Sequence, residues 1–402
     1  MIHSGTPPPF HSARSVLVIG VGLTVIGGAP FNILPLLTAA SSEMLGFSDR
    51  QAGILSLTLS GAAGASALLA STWVRSVNWR RAAVISLSGL LGANALSMLL
   101  HAYGPFVVLQ GVSGFCASAA FSLGMTMLSD RVDSARSFGV ATASQVLYQV
   151  LALLAGPALL RAGGMNAVLL LMAIPSGLAM SFIPRMPARG RALPTQLLPK
   201  GLLKPATVVA IAAFGAWFVN VGGYWTYIEL IGQSRGMADH VIATCMAVGL
   251  MGGVVGGALS WMLGERFGRL WPIGVASALT ALSAWLLTGS STVLPFVISA
   301  LIYVFAWNFS WAYQIAMVNA VDPSGRGVAV ISAFGFIGCA VGAGLAALFV
   351  HPGHYQAVIG LEILGVGSSF LLFVLSQILH SGCVGRGASR ERVPPQPQRT
   401  VP

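Results

Sequence analysis

"RMPARGRALPTQLLPKGLLKP", residues 185–205, is the stretch on which the fold turns. It packs four prolines and five basic residues between two long apolar regions. A proline-rich basic segment neither continues a helix nor enters lipid, so it reads as a linker. Outward from it, each side resolves into six apolar runs. Each run is long enough to cross about 30 Å of hydrocarbon, which takes about 20 residues. Those before the linker are 15–39, 51–73, 82–101, 105–128, 138–160 and 165–184. Those after it are 206–230, 240–263, 271–289, 293–317, 327–350 and 356–380. The expected fold is an all-α membrane protein of 12 transmembrane helices in two pseudo-symmetric six-helix halves, 15–184 and 206–380. A short N-terminus, 1–14, precedes them, and a Pro- and Arg-rich tail, 381–402, reads as disordered.

Composition agrees. Of 402 residues, 55% are hydrophobic and 8% are charged, where soluble domains run at about a quarter charged. The net charge of +11 would suit a nucleic-acid binder, but the charges form no patch and fall in short loops instead. With the N-terminus in the cytoplasm, 18 of the 21 basic residues fall in cytoplasmic segments. The outer loops hold only Arg50, Arg161 and Arg235, and no Lys or Arg is left inside a span. That bias predicts both termini cytoplasmic. The first run is too long for a signal-peptide core and has no clear cleavage site, so it counts as a span. Cys116, Cys245, Cys339 and Cys383 show neither disulfide nor metal spacing and read as small packing residues. No phosphate-binding loop, metal cluster or motif-supported catalytic set is visible, so no cofactor and no enzymatic activity are expected. Arg outnumbers Lys 19 to 2, a hint of a GC-rich bacterial genome and hence an inner membrane.

The halves repeat. Arg75 in "VRSVNWRR" and Arg266 in "GERFGR" lie 191 positions apart, each after the second span of its half. Arg136 in "DSARSFGVA" and Arg326 in "DPSGRGVAV" lie 190 apart, each before the fifth. Two anchors with nearly one offset point to duplication, a habit of transporters.

At these residues the chain resembles the major facilitator superfamily of secondary transporters. The loop after the family's second span reads roughly G-x-x-x-D-R-x-G-R-R. Glu265, Arg266, Gly268 and Arg269 match it in the second half, with Glu for Asp. The first copy keeps Arg75, Arg80 and Arg81 but has Val74 where the acid belongs. Asp322 to Arg326 resembles the loop before the eleventh span. The resemblance implies that Arg75, Glu265, Arg266, Gly268, Arg269, Asp322 and Arg326 form a cytoplasmic gate that latches in the outward-facing state. Two marks of the proton-coupled drug exporters are damaged. Val107 stands where the fourth span carries an Arg, and the fifth-span G-x-x-x-G-P survives only as Ala152 with Gly156-Pro157.

The resemblance also implies that spans 1, 4, 7 and 10 line a central cavity. On span 10, Tyr303, Trp307, Trp311 and Gln314 fall in one stripe at 100° per residue. Asn220 and Tyr224 share a face of span 7 with Trp217 and Tyr227. Asn32 lies in span 1, Gln110 in span 4, and Gln145, Tyr148 and Gln149 in span 5. Polar side chains at these depths should point inward. The expected cavity set is Asn32, Gln110, Asn220, Tyr224, Trp307, Trp311 and Gln314. Without a cation it suits apolar, neutral polar or cationic molecules.

The expectation is a monomeric secondary transporter of a small molecule, with export favoured and proton coupling open. The alternatives are an uptake permease for a neutral metabolite and a non-transporting sensor or assembly protein on the same scaffold. Glu229 and Glu362 are the coupling candidates. Glu229 sits at or just past the outer boundary, about 180° around its helix from Asn220, where the wet-boundary reading is slightly ahead of the buried one. Of the two, Glu229 is still expected to matter more for pH-driven transport. His351 and His354 read as a solvated pair in an outer loop.

Overall fold

The computed structural model describes residues 14–131, 133–190, 204–288, 292–322, 326–351 and 353–390. The helices are α1 (Arg14–Asn32), α2 (Leu34–Leu45), α3 (Asp49–Trp73), α4 (Trp79–Ser97), α5 (Tyr103–Ser129) and α6 (Ser134–Met180). There follow α7 (Pro205–Ser234), α8 (Asp239–Leu263), α9 (Leu270–Leu286), α10 (Val293–Val321), α11 (Arg326–Phe349) and α12 (Gln356–Arg390). Among the described residues, nine helices are long and apolar enough to cross a bilayer, α6 at nearly double length.

Twelve helices match twelve spans only because two departures cancel. The first span is broken at Ile33 into α1 and α2. The fifth and sixth share α6, whose backbone turns at Gly164 with φ 58° and ψ −148°. The Tyr148 hydroxyl donates to the Leu171 carbonyl at 3.0 Å, although 23 residues of straight helix would hold them about 34 Å apart. The legs of α6 therefore lie side by side, and Gly164 supplies a left-handed turn that a side chain would strain.

The linker expected at 185–205 lies outside the described residues from 191 to 203. Its first residues fold back on α4, where Trp79 N–H donates to the Ala188 carbonyl at 2.8 Å. The tail is shorter than expected: α12 runs on to Arg390, since no proline stops it before Pro394. Residues 391–402 lie outside the described part.

Close packing holds the second half together. A Cβ on Gly222 would strike the Cys339 backbone, and one on Gly342 would strike the Val219 backbone. α7 and α11 thus touch main chain to main chain, as small residues allow in lipid. The halves meet chiefly where α3 packs against α11, α6 against α8, and α2 against α7.

The break in the first span follows from its prolines. Pro35 has no N–H to give the Phe31 carbonyl one turn back. That carbonyl accepts from the Trp225 indole N–H of the second half at 3.1 Å. The neighbouring Asn32 carbonyl accepts from Gln149 at 3.3 Å. Unmet carbonyls are costly in lipid, so the kink and its partners belong together.

Gly222→Ala should destabilise the purified protein by about 1–3 kcal/mol, seen as a lower melting temperature. Gly367→Ala, where a Cβ meets nothing within 4 Å, should leave it unchanged.

Candidate functional site

Aromatic rings meet midway along the seam between the halves. Trp307 of α10 packs edge-on against Phe31 of α1 at 6.5 Å and Phe218 of α7 at 6.1 Å, with Trp225 at 6.4 Å. Trp311 meets Phe214 and Phe218, each at 5.5 Å. Phe31 also meets Phe336 of α11 at 6.0 Å. Edge-to-face pairs of this kind contribute about 0.5–1.5 kcal/mol each beyond burial. Trp311 is still 37% exposed, and Trp307, Phe31 and Asn32 keep part of their surface free at mid-span. Beside Asn32, the Gln145 amide crowds Gly28. Below Phe336, a cavity of about 210 Å³ opens between α3, α5 and α11 toward the end at which α1 starts and α3 and α5 finish, the basic end.

The other end is sealed. The Tyr227 hydroxyl donates to the Asp49 carbonyl at 2.9 Å, and the Tyr355 hydroxyl to the Asp49 carboxylate at 2.9 Å. Thr38 donates to the Thr226 carbonyl at 2.8 Å. With Trp225 on Phe31, these side-chain hydrogen bonds join the halves. Asp49 is held by its position: Ser48 and Gln51 form a reciprocal cap at the start of α3. Burial first, then the Asp49 carboxylate, pushes the Tyr355 phenol above its ordinary value. A raised value keeps the donor protonated through neutral pH, so the bond weakens only as pH climbs past about 10.

The expected cavity residues divide. Trp307 and Trp311 stand in the cage, with Asn32 at its edge. Gln110 is buried and donates to Ser97 of α4 at 3.0 Å, so it ties two helices of one half and does not face the seam. Asn220 is buried too, accepting from the Tyr303 hydroxyl at 2.8 Å. Tyr224 stacks on Tyr303 with ring centres 3.6 Å apart. These three sit behind the wall whose front is Trp307. Gln314 is buried and bonds Ser310 of its own helix at 3.0 Å. The stripe on α10 is therefore one face in angle but not in environment, because neighbouring helices cover both its ends.

Glu229 is buried, at 2% exposed, and not at a wet boundary. α7 runs unbroken to Ser234, and the acids Asp239 and Glu43 face Glu229 near that end. Glu362 has no exposed surface at all.

Arg75, Glu265, Arg269 and Asp322 each have a partner within their own half. Arg75 pairs with Asp130 of its own half at 3.1 Å. Glu265 pairs with Arg269 at 2.9 Å inside its own loop, where Gly268 takes φ 70° and Arg266 is exposed. Asp322 accepts from the Gly327 N–H at 2.9 Å, tying α10 to α11. The side chain of Arg326 lies outside the described residues. Asp130 and Asp322, 192 positions apart, end the matching helices of the two halves, α5 and α10, and so extend the repeat.

The sequence model of the Major Facilitator Superfamily matches residues 17–343. The chain belongs to that superfamily. It is a membrane-embedded transport protein and not an enzyme, and its substrate is a small molecule. No curated protein matches it in sequence. Among solved structures it is similar to the nucleoside transporter NupG, with 12% identity, a TM-score of 0.67, and 91% of this chain and 98% of that one covered. It is also similar to a bacterial homologue of the human lysosomal transporter Spinster, inward-facing and unoccupied. There the identity is 13%, the TM-score 0.66, and the coverage 97% of this chain and 100% of that one. At such identities the likeness shows the fold alone.

Sequence reasoning missed Phe31, Phe214, Phe218 and Phe336, because a Phe in a span carries no polar signal. Tyr355 and Asp49 were missed as well, since their bond spans 306 residues.

Replacing Tyr227 and Tyr355 together with Phe removes both hydroxyl bonds to Asp49. In that background a cysteine placed at Asn32 should react several-fold faster with an impermeant thiol reagent added at the sealed end. An unchanged rate would mean that these bonds do not hold the seal.

Proposed function

We propose that this superfamily member exports a small molecule with a flat apolar or cationic face, moving it by alternating access about the aromatic cage. The observation that carries the reading is the cage itself. Phe31, Phe218, Trp307 and Trp311 offer ring faces from both halves, with the Asn32 and Gln145 amides beside them and no charged side chain in the set. Ring faces attract flat apolar groups and cations, each cation contact contributing about 0.5–2 kcal/mol. A phosphate or dicarboxylate would find no fixed cation here. In this reading both termini lie in the cytoplasm of a cell with an inner membrane. The basic-residue bias supports that orientation, and the cage opens toward the cytoplasm in this conformer. The protein acts as a monomer. The export direction rests on the uncharged aromatic lining and on the drug-exporter resemblance.

The second reading is uptake of a neutral metabolite. The adjacent Asn32 and Gln145 amides favour it, since they could hydrogen-bond the edge of a neutral polar ring, and the similar NupG carries nucleosides.

Ethidium as a planar cation and uridine as a neutral ring compound separate the two readings. Bound to the native state, a ligand raises the melting temperature of purified protein. Ethidium should raise it, and Trp307→Ala should weaken that binding at least tenfold, a loss of about 1.4 kcal/mol. Everted vesicles should accumulate ethidium if the direction is export. A shift by uridine alone, with accumulation in right-side-out vesicles, would favour uptake. No shift by either, with no flux, would count against transport of this cargo class.

A further inference from the structure

Glu362 is the acid that the transport path leaves unexplained. It lies on α12, whose Ile363 and Leu364 are exposed on the lipid side while Glu362 itself is fully buried. Neither of its carboxyl oxygens has a hydrogen-bond partner. The titratable groups that face it are Tyr224 from α7 and Tyr303 from α10, and Cys339 from α11 stands next to Tyr303. α9 brings no titratable side chain. No cation among the described residues acts on Glu362.

An ionised carboxylate cannot persist there. With no cation and no protein donor beside it among the described residues, it keeps the penalty of leaving solvent. A neutral carboxylic acid avoids that penalty and can offer its own O–H. The Tyr224 hydroxyl, with Ser299 beside it but no hydrogen bond of ordinary geometry, is also buried and unmatched.

The site sits directly behind the cage. Tyr224 stacks on Tyr303, and the Tyr303 hydroxyl donates to Asn220. Gly365, about one turn along α12 from Glu362, presses on Asn220 so closely that a Cβ would lie 2.9 Å from it. One turn along α10 from Tyr303 is Trp307. A charge appearing on Glu362 would therefore act on the Tyr303–Asn220 hydrogen bond that clamps this part of α7 to α10.

We propose that Glu362 is a proton-binding site behind the cage, protonated in this conformer, which passes its proton to water when α7 and α10 part. Proton and cargo then act through opposite faces of one wall and do not share a cavity. The O–H bond of the acid breaks, a carboxylate remains, and the proton leaves on the water that enters. Acid favours the conformer described here, open at the basic end, and alkali favours its alternative. This ranks Glu362 above Glu229, the reverse of the order the sequence suggests. The proposal rests on the transport reading.

The test uses the full chain in lipid vesicles and needs no cargo. Infrared spectra at neutral pH should contain the C=O stretch of a carboxylic acid in apolar surroundings. That band should be lost in Glu362→Gln and kept in Glu229→Gln. Tryptophan emission should follow pH in the wild type, lose that response in Glu362→Gln, and show a displaced midpoint in Glu362→Asp, which also serves if the Gln variant folds poorly. Identical acid bands in wild type and Glu362→Gln would overturn the proposal, as would a pH response unchanged in both Glu362 variants. Ethidium flux in the same vesicles reports the transport reading separately, so the two can fail independently.

Discussion

The structure depends on a carbonyl that its own helix cannot satisfy. Pro35 leaves the Phe31 oxygen open in the middle of a membrane span, and the Trp225 indole of the other half closes it at 3.1 Å. That bond fixes where the first helix bends and turns the Phe31 ring toward Trp307. It also brings α2 against α7, so that Thr38 reaches the Thr226 carbonyl and Tyr227 reaches Asp49. The cage and the seal above it are thus two consequences of one break.

The second constraint is the absence of cations within the spans. Among the described residues, four neutral or singly charged hydrogen bonds and packed apolar surface join the halves at one end. Interhelical bonds of this kind contribute about 0.6–2 kcal/mol each, so four amount to about 2–8 kcal/mol. Reversing a two-state balance from 1:99 to 99:1 takes about 5.5 kcal/mol. The seal therefore lies in the range that one ligand or one proton can open. Buried ion pairs across the seam would have fixed it far more firmly, because parting them leaves bare charges in lipid.

Much of the architecture was legible in the sequence. Long apolar runs, the basic-residue bias and the 190–191 offset report length, charge and duplication, which are one-dimensional properties. The site was legible only in part. Trp307 and Trp311 declared themselves by their depth. Asn220 and Gln110 looked the same by that criterion yet lie behind the wall or away from the seam, because angle along a helix says nothing about which neighbour covers it. Glu229 was misjudged because a residue count measures distance from the start of a helix, whereas burial depends on what packs around its end. Phe31 and Phe336 gave no signal, since their role comes from meeting across the seam.

Alternating access requires that one end open as the other closes. Spin labels at exposed sites can follow both ends: Arg50 with Gln356 at the sealed end, and Thr72 with Met262 at the basic end. Distances would be recorded in vesicles between about pH 5 and pH 8, with and without ethidium. The account predicts a second population in which the Arg50–Gln356 distance lengthens as the Thr72–Met262 distance shortens, the two changing in proportion. A single fixed distance at each end under all these conditions, or two ends that open together, would contradict it.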